Sequence, residues 1–366
     1  MAQQDRTPTF GKRTQRLHSK WALGAAAILC VLACVFAVEA TAQNRAEPDA
    51  GRQARRAALG AVRSWGYQLR IQDLAPLIAS DTGLLVIDHG RAAKRDGKLK
   101  FDPTEIAQLK TRSDGRRRLV LAYLSIGEAE QYRFYWRPEW CQRATAPVWM
   151  GAVNPNWPGN YPVRFWAPDW QRLILAPGDG YIAQIQAQGF DGIYLDRTDV
   201  YSEWTREQPS AERDMIQFLS AIAAAARANA PDFLVVMQNA EELLVHRDVR
   251  RAIDGVAKED LLHGTNFSEA ANNVETVTSS LAYLRRARTE KIPVFAVEYL
   301  SDPAKIAAAR RRLEGYGFLP YFGPRLLDQL APIPGGTRSP SVKPPAPVPA
   351  LPHASSGEGG PTCLLD

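Results

Sequence analysis

Between residues 64 and 331 the chain alternates short, mainly apolar runs with longer stretches whose apolar positions recur every three or four residues. The short runs are Trp65–Leu69, Leu84–Ile87, Leu119–Leu124, Phe190–Leu195, Phe233–Met237, Gly255–Ala257, Pro293–Val297 and Phe318–Tyr321. They are too short for helices and lack a regular polar alternation, which marks strands buried on both faces in a parallel sheet. Helical periodicity is clearest in "AERDMIQFLSAIAAAARANA", Ala211 to Ala230, and returns in "NNVETVTSSLAYLRRARTE" and "DPAKIAAARRRLEGYG". Pro231 and Gly317 follow two of these stretches, where helix-stopping residues belong. Eight strand–helix repeats in about 270 residues predict α/β architecture with a single-domain (β/α)8 barrel of the TIM type. An open doubly wound sheet is the competitor, and the lack of a Gly-rich dinucleotide fingerprint after the first strand counts against it.

The flanks follow other patterns. Lys12, Arg13, Arg16 and Lys20 precede an apolar stretch from Trp21 to Val38 and then Ala40-Thr41-Ala42, the order of a secretory signal cut after Ala42. A membrane anchor is the other reading of a run close to the roughly 20 residues that span a bilayer. Residues 43–63 read as an Arg/Ala-rich linker or frayed helix. Residues 332–366 are so dense in Pro, Gly and Ser that they read as a disordered tail.

Charge changes the picture once it is located. The net +6 comes from residues 1–63, with ten Lys/Arg against four Asp/Glu, while the remainder balances at 35 against 35. A neutral body gives a nucleic-acid partner no electrostatic basis. Cys30 and Cys34 lie in the leader, leaving Cys141 and Cys363 either as a bridge formed in an oxidising compartment or as two unpaired thiols. His89, His246 and His263 lack zinc-ligand spacing, and there is no Gly-x-Ser-x-Gly nucleophile turn, so neither a metal nor a cofactor is expected.

In a (β/α)8 barrel the reactive groups stand at the C-terminal ends of the strands. Polar residues fall there repeatedly: Asp88, Ser125 and Glu128, Asp196 with Asp199 one loop further on, Gln238, Asn239 and Glu241, Glu259, and Glu298. One such carboxylate is ordinarily a helix cap. Several from different strands fit the paired carboxyl groups of glycosidic cleavage, one donating a proton and the other stabilising or attacking the sugar centre. Trp136, Trp140, Trp149, Trp157, Trp166 and Trp170 crowd the segment before the fourth run, and indole faces suit pyranose rings as well as packing.

"LAYLSIGEAE", "VRFWAPDW", "GFDGIYLDRTD", "MQNAEELL", "GVAKEDLL" and "FAVEYL" together resemble glycoside hydrolase family 114, the endo-α-1,4-polygalactosaminidase family, over about Trp65 to Gly323. The resemblance implies a cofactor-free (β/α)8 barrel that cuts α-1,4-linked galactosamine polymers with Asp196 and Glu259 as the catalytic pair, and the leader makes it an expected secreted or periplasmic protein. Asp88, Tyr123, Glu128, Trp166, Asp199, Asn239, Glu241, Glu298 and Tyr321 are the substrate-binding candidates. Arg197-Thr198 replaces the family's usual pair after the strand-end aspartate. The expected partner is a polysaccharide, in particular a cationic amino-sugar polymer drawn to an acidic mouth, with neither nucleic acid nor a membrane engaged after signal cleavage. A catalytically silent carbohydrate-binding barrel is the alternative.

Overall fold

Eight strands run parallel in strict sequence order, each hydrogen-bonded to its predecessor. They are β1 (Trp65–Gln68), β2 (Leu84–Ile87), β3 (Leu119–Ser125), β4 (Gly192–Asp196), β5 (Leu234–Gln238), β6 (Gly255–Glu259), β7 (Val294–Glu298) and β8 (Leu319–Phe322). The computed structural model describes residues 50–91, 99–331 and 363. The expected leader (1–42), the first part of the linker, and the tail apart from Cys363 lie outside the described residues. Among the described residues no helix is long and apolar enough to cross a membrane.

The helices between the strands are α1 (Ala75–Ile78), α2 (Pro103–Leu109), α3 (Pro168–Leu175), α4 (Tyr181–Ala187), α5 (Ala211–Arg227), α6 (Arg247–Ala252), α7 (Val274–Thr289) and α8 (Pro303–Gly315). Their starts are written locally. Asp102 caps α2 in a reciprocal capping box with Glu105, Asn273 accepts from Glu275 N–H at α7, and Asp302 accepts from Ala304 and Lys305 N–H at α8. Gly317 takes φ +71° directly after α8, a left-handed turn that favours glycine.

Strand alternation divides the core in two. Trp65, Tyr67, Leu84, Val86, Leu121, Tyr123, Tyr194, Val236, Ala257, Phe295, Val297 and Tyr321 fill the barrel, while their neighbours Leu85, Val120, Ile193, Val235 and Val256 pack outward under the helices. The interior is aromatic, with Tyr67 and Tyr194 rings 5.2 Å apart and Trp65 edge-on to Phe295 at 5.4 Å. Residues 54–60, within the segment read as a linker or frayed helix, are helical. Leu59 of this turn is 1% exposed against the barrel floor, and Arg55 Nε donates to Asp254 at 2.9 Å.

Among the described residues no backbone ladder joins β1 to β8. Side chains close that seam: Trp65 Nε1 donates to Leu319 O at 2.9 Å and Tyr321 Oη to Tyr67 O at 3.1 Å. The longest excursion follows β3, where Glu128–Glu130 pairs antiparallel with Asn160–Pro162 and carries most of the tryptophans. Trp170 and Trp149 are buried there and Trp136 stacks on Tyr161 at 5.1 Å, so these rings pack the excursion. Trp157 is 42% exposed. Cys141 in the same excursion is disulfide-bonded to Cys363, 222 residues away.

Candidate active site

Alternation carries Asp196 and Glu259 into the mouth of the barrel, because each lies two residues beyond an inward-facing one, Tyr194 and Ala257. Asp196 sits beside Ser125 of β3 in the ladder. Its Oδ2 accepts from Tyr123 Oη at 2.6 Å and its Oδ1 from Gln238 Nε2 at 2.6 Å; Gln238 is itself held by Tyr194 Oη at 2.5 Å. Burial lifts the Asp196 carboxyl above the usual range, opposed by the Tyr123 donor and reinforced by the charge of Asp199.

Glu259 is held by different donors. Tyr299 Oη donates to Oε1, Asn239 Nδ2 donates to Oε2 at 3.1 Å, and the Glu259 N–H returns a bond to Asn239 Oδ1 at 3.1 Å. Burial and then the negative charge of Asp196 push its carboxyl up to about 7, against the pull of the two donors. Burial also drives Tyr67, Tyr123, Tyr194 and Tyr299 well above their ordinary value, so these phenols stay protonated beneath the carboxylates.

Three successive strands leave the barrel through left-handed residues: Arg197 (φ 57°) after β4, Asn239 and Ala240 (58° and 51°) after β5, and Asp260 (50°) after β6. Such backbone is unfavourable for side-chain-bearing residues and clusters at functional sites. Each turn diverts the chain just past Asp196, Gln238 and Glu259, leaving those side chains on the last rigid residue. The β3 loop crowds in at Gly127, where a Cβ would meet Arg197 O and Val200.

The other sequence-derived candidates separate by location. Tyr123 and Asn239 hold the two carboxylates directly. Asp199 borders them, its side chain 43% exposed with Arg197 Nη1 at 3.7 Å. Glu128 is 2% exposed, bound by Asn154 Nδ2 at 2.8 Å and Arg197 Nε at 2.9 Å; burial lifts its carboxyl and Arg197 opposes this. Asp88 is a buried counter-charge, with Arg133 Nη1 at 2.9 Å from both its oxygens. Glu241 lies behind the barrel wall, 3.2 Å from Lys258 Nζ and accepting from Ser280 of α7. Glu298 is fully buried and accepts from the N–H groups of Leu262 (2.8 Å) and His263 (3.1 Å). Trp166 packs edge-on against Trp204 at 5.6 Å, and Tyr321 belongs to the seam.

Gln238, one of the strand-end polar residues, joins the site, and Tyr299 and Arg325 complete it without having been singled out for it. Arg325 grips Asp260 with two bonds of 2.9 and 3.0 Å and lies 4.4 Å over the Tyr299 ring. Tyr299 follows inward-facing Val297 at a spacing of two, which the structure shows and the apolar strand itself does not index; Arg325 comes from beyond β8. Among the described residues no group of three or more His, Cys, Asp or Glu is placed to hold a metal ion.

Similarity to known proteins agrees with this architecture. The glycoside hydrolase domain of PelA from Pseudomonas aeruginosa shares the fold at a TM-score of 0.56 and 20% identity, over 74% of this chain and 97% of that one. An uncharacterised protein of Deinococcus radiodurans is 36% identical over 278 residues, covering 75% of this chain and 84% of its own. One from Methanocaldococcus jannaschii is 31% identical over 282 residues, 73% of this chain and 77% of its own. The profile of glycoside-hydrolase family GH114 matches residues 42–337, and the chain belongs to that family.

Proposed function

We propose that the chain is an exported, endo-acting glycosidase that cleaves α-1,4-linked galactosamine-type polysaccharide with Asp196 and Glu259. The observation that carries this reading is the pair itself. Two inward carboxyl groups at the ends of β4 and β6 have separate donor sets, and Glu259 keeps its proton to about 7. Glu259 is the group suited to protonate the departing glycosidic oxygen. Asp196, oriented by Tyr123 and Gln238, is suited to attack or stabilise the anomeric carbon. In the retaining course Asp196 bonds to that carbon as the C–O bond breaks. Glu259 then takes a proton from the water that hydrolyses the ester. The Cys141–Cys363 bridge supports residence in an oxidising compartment, secreted or periplasmic.

The test is incubation of the mature chain with a panel of hexosamine polymers, with products read by mass spectrometry. Wild type is expected to release internal fragments from the galactosamine-type polymer. Asp196→Asn and Glu259→Gln should each lower turnover roughly a thousandfold while still binding polymer, and azide should partly restore the Asp196 variant as a glycosyl azide. Near-wild-type cleavage by both variants overturns the pair. Binding without turnover by wild type makes the protein a carbohydrate-binding barrel.

A further inference from the structure

A cavity of about 520 Å3 opens against Arg197, the residue that follows Asp196, walled by the 151–157 loop, Pro162, Glu203 and Trp204 of the following turn, and Phe267. Its aromatic walls are Trp204, Trp157 and Phe267, the last two 42% and 59% exposed. The charged residues lining it are Arg197 and Glu203, and these two pair with each other.

Both members of the catalytic pair lead into this space. Asp196 is followed directly by Arg197, one of its walls. Glu259 is held by Tyr299; the Arg325 guanidinium stacks over Tyr299 at 4.4 Å and over the Phe267 ring at 5.3 Å. A polymer lying across Asp196 and Glu259 therefore meets the cavity where the two leads end. Exposed rings around a concave space are surface that water solvates poorly and that the apolar face of a pyranose covers well.

Charge decides which pyranose. An ammonium in the cavity meets the like charge of Arg197 and a carboxylate that Arg197 already engages, so it finds no free partner. A ring carrying hydroxyls or an N-acyl group has no such penalty. Resting on the proposed function, we propose that this cavity is a polymer subsite for an uncharged sugar unit, a hexose or N-acylated amino sugar stacked on Trp157. Free amines are then disfavoured here, so the enzyme reads the substitution pattern along its polymer.

Calorimetry on the full-length Glu259→Gln chain with ladders of N-acylated and free-amine oligomers tests this. The N-acylated ladder should gain about tenfold in affinity at the length that reaches the cavity, and the free-amine ladder should not. Adding Trp157→Ala should erase the step and Trp157→Phe should largely restore it. On the otherwise wild-type chain, Trp157→Ala should raise KM for polymer about tenfold with kcat moved less than about threefold. An unchanged KM and an unchanged ladder overturn the subsite while leaving the proposed function standing, and an equal step for free amines overturns the charge argument. A wild type that cuts none of the polymers removes the proposed function, and the absence of a Trp157-dependent step in the ladder then removes the subsite too.

Discussion

Glu259 and Glu298 end neighbouring strands, β6 and β7, and burial pushes both up to about 7, yet they face opposite ways. Glu259 continues the inward series Ala257–Glu259, while Glu298 continues the outward series from Ala296. The first is neighboured by Asp196 and by side-chain donors at an open mouth. The second spends both oxygens on the backbone N–H groups of Leu262 and His263 and tethers the loop leaving β6. A displaced carboxyl pKa thus marks burial, and only the direction of the side chain separates the proposed reacting group from a clamp.

The largest effect that sharpens the contrast is on turnover. Glu259→Gln should remove roughly three orders of magnitude from kcat, whereas folded Glu298→Ala should lose less than about tenfold because its carboxylate meets no substrate. Equal losses measured on polymer would erase the distinction. Stability should show the reverse order. Glu298→Ala leaves two buried N–H groups unpaired and should cost about 2–4 kcal/mol, a drop of roughly 5–12 °C in Tm by calorimetry, while Glu259→Gln should leave Tm level or raise it.

Smaller effects lie in pH. Both carboxyls hold their protons to higher pH in the fold than the ordinary 4.5, so the stability they confer is complete below that value and is lost as pH rises through about 7. Melting curves of wild type should fall across this window, and those of Glu259→Gln should fall less. A wild-type melting temperature that climbs over the same range would contradict the assignment. The smallest shift belongs to Tyr299→Phe. Losing the phenol that favours ionised Glu259 should move the alkaline limb of the kcat/KM profile upward by up to about one unit; a downward shift would mean that Tyr299 donates elsewhere.

The eight strands are legible in the sequence to within one or two residues, because a parallel strand covered on both faces must be apolar throughout. That same property hides the register. With no polar face to index it, nothing in "VFAVEYL" shows which of Glu298 and Tyr299 points inward, and the substrate-binding candidates mix mouth residues with Glu241 and Glu298 on the outer side. Asp196, Glu259 and Asn239 are legible because they close strand-end motifs. Arg133 beneath Asp88 and Arg325 beneath Tyr299 come from contacts remote in sequence, which no local pattern encodes, whereas the Cys141–Cys363 link is one of the two readings the cysteine count left open.

The seam between β1 and β8 bears on how the barrel moves. Seven strand junctions are continuous ladders, whereas this one relies on Trp65, Tyr321 and the amides of Leu69 and Arg70, which donate to Leu327 O at 2.8 and 3.1 Å. A barrel interrupted at one place can breathe there by swinging a few side chains, without unzipping a sheet. In deuterated solvent the backbone of β1 and β8 should label ahead of β4, β5 and β6, so the strands bearing the proposed catalytic pair lie opposite the hinge line and keep their geometry while the far wall flexes.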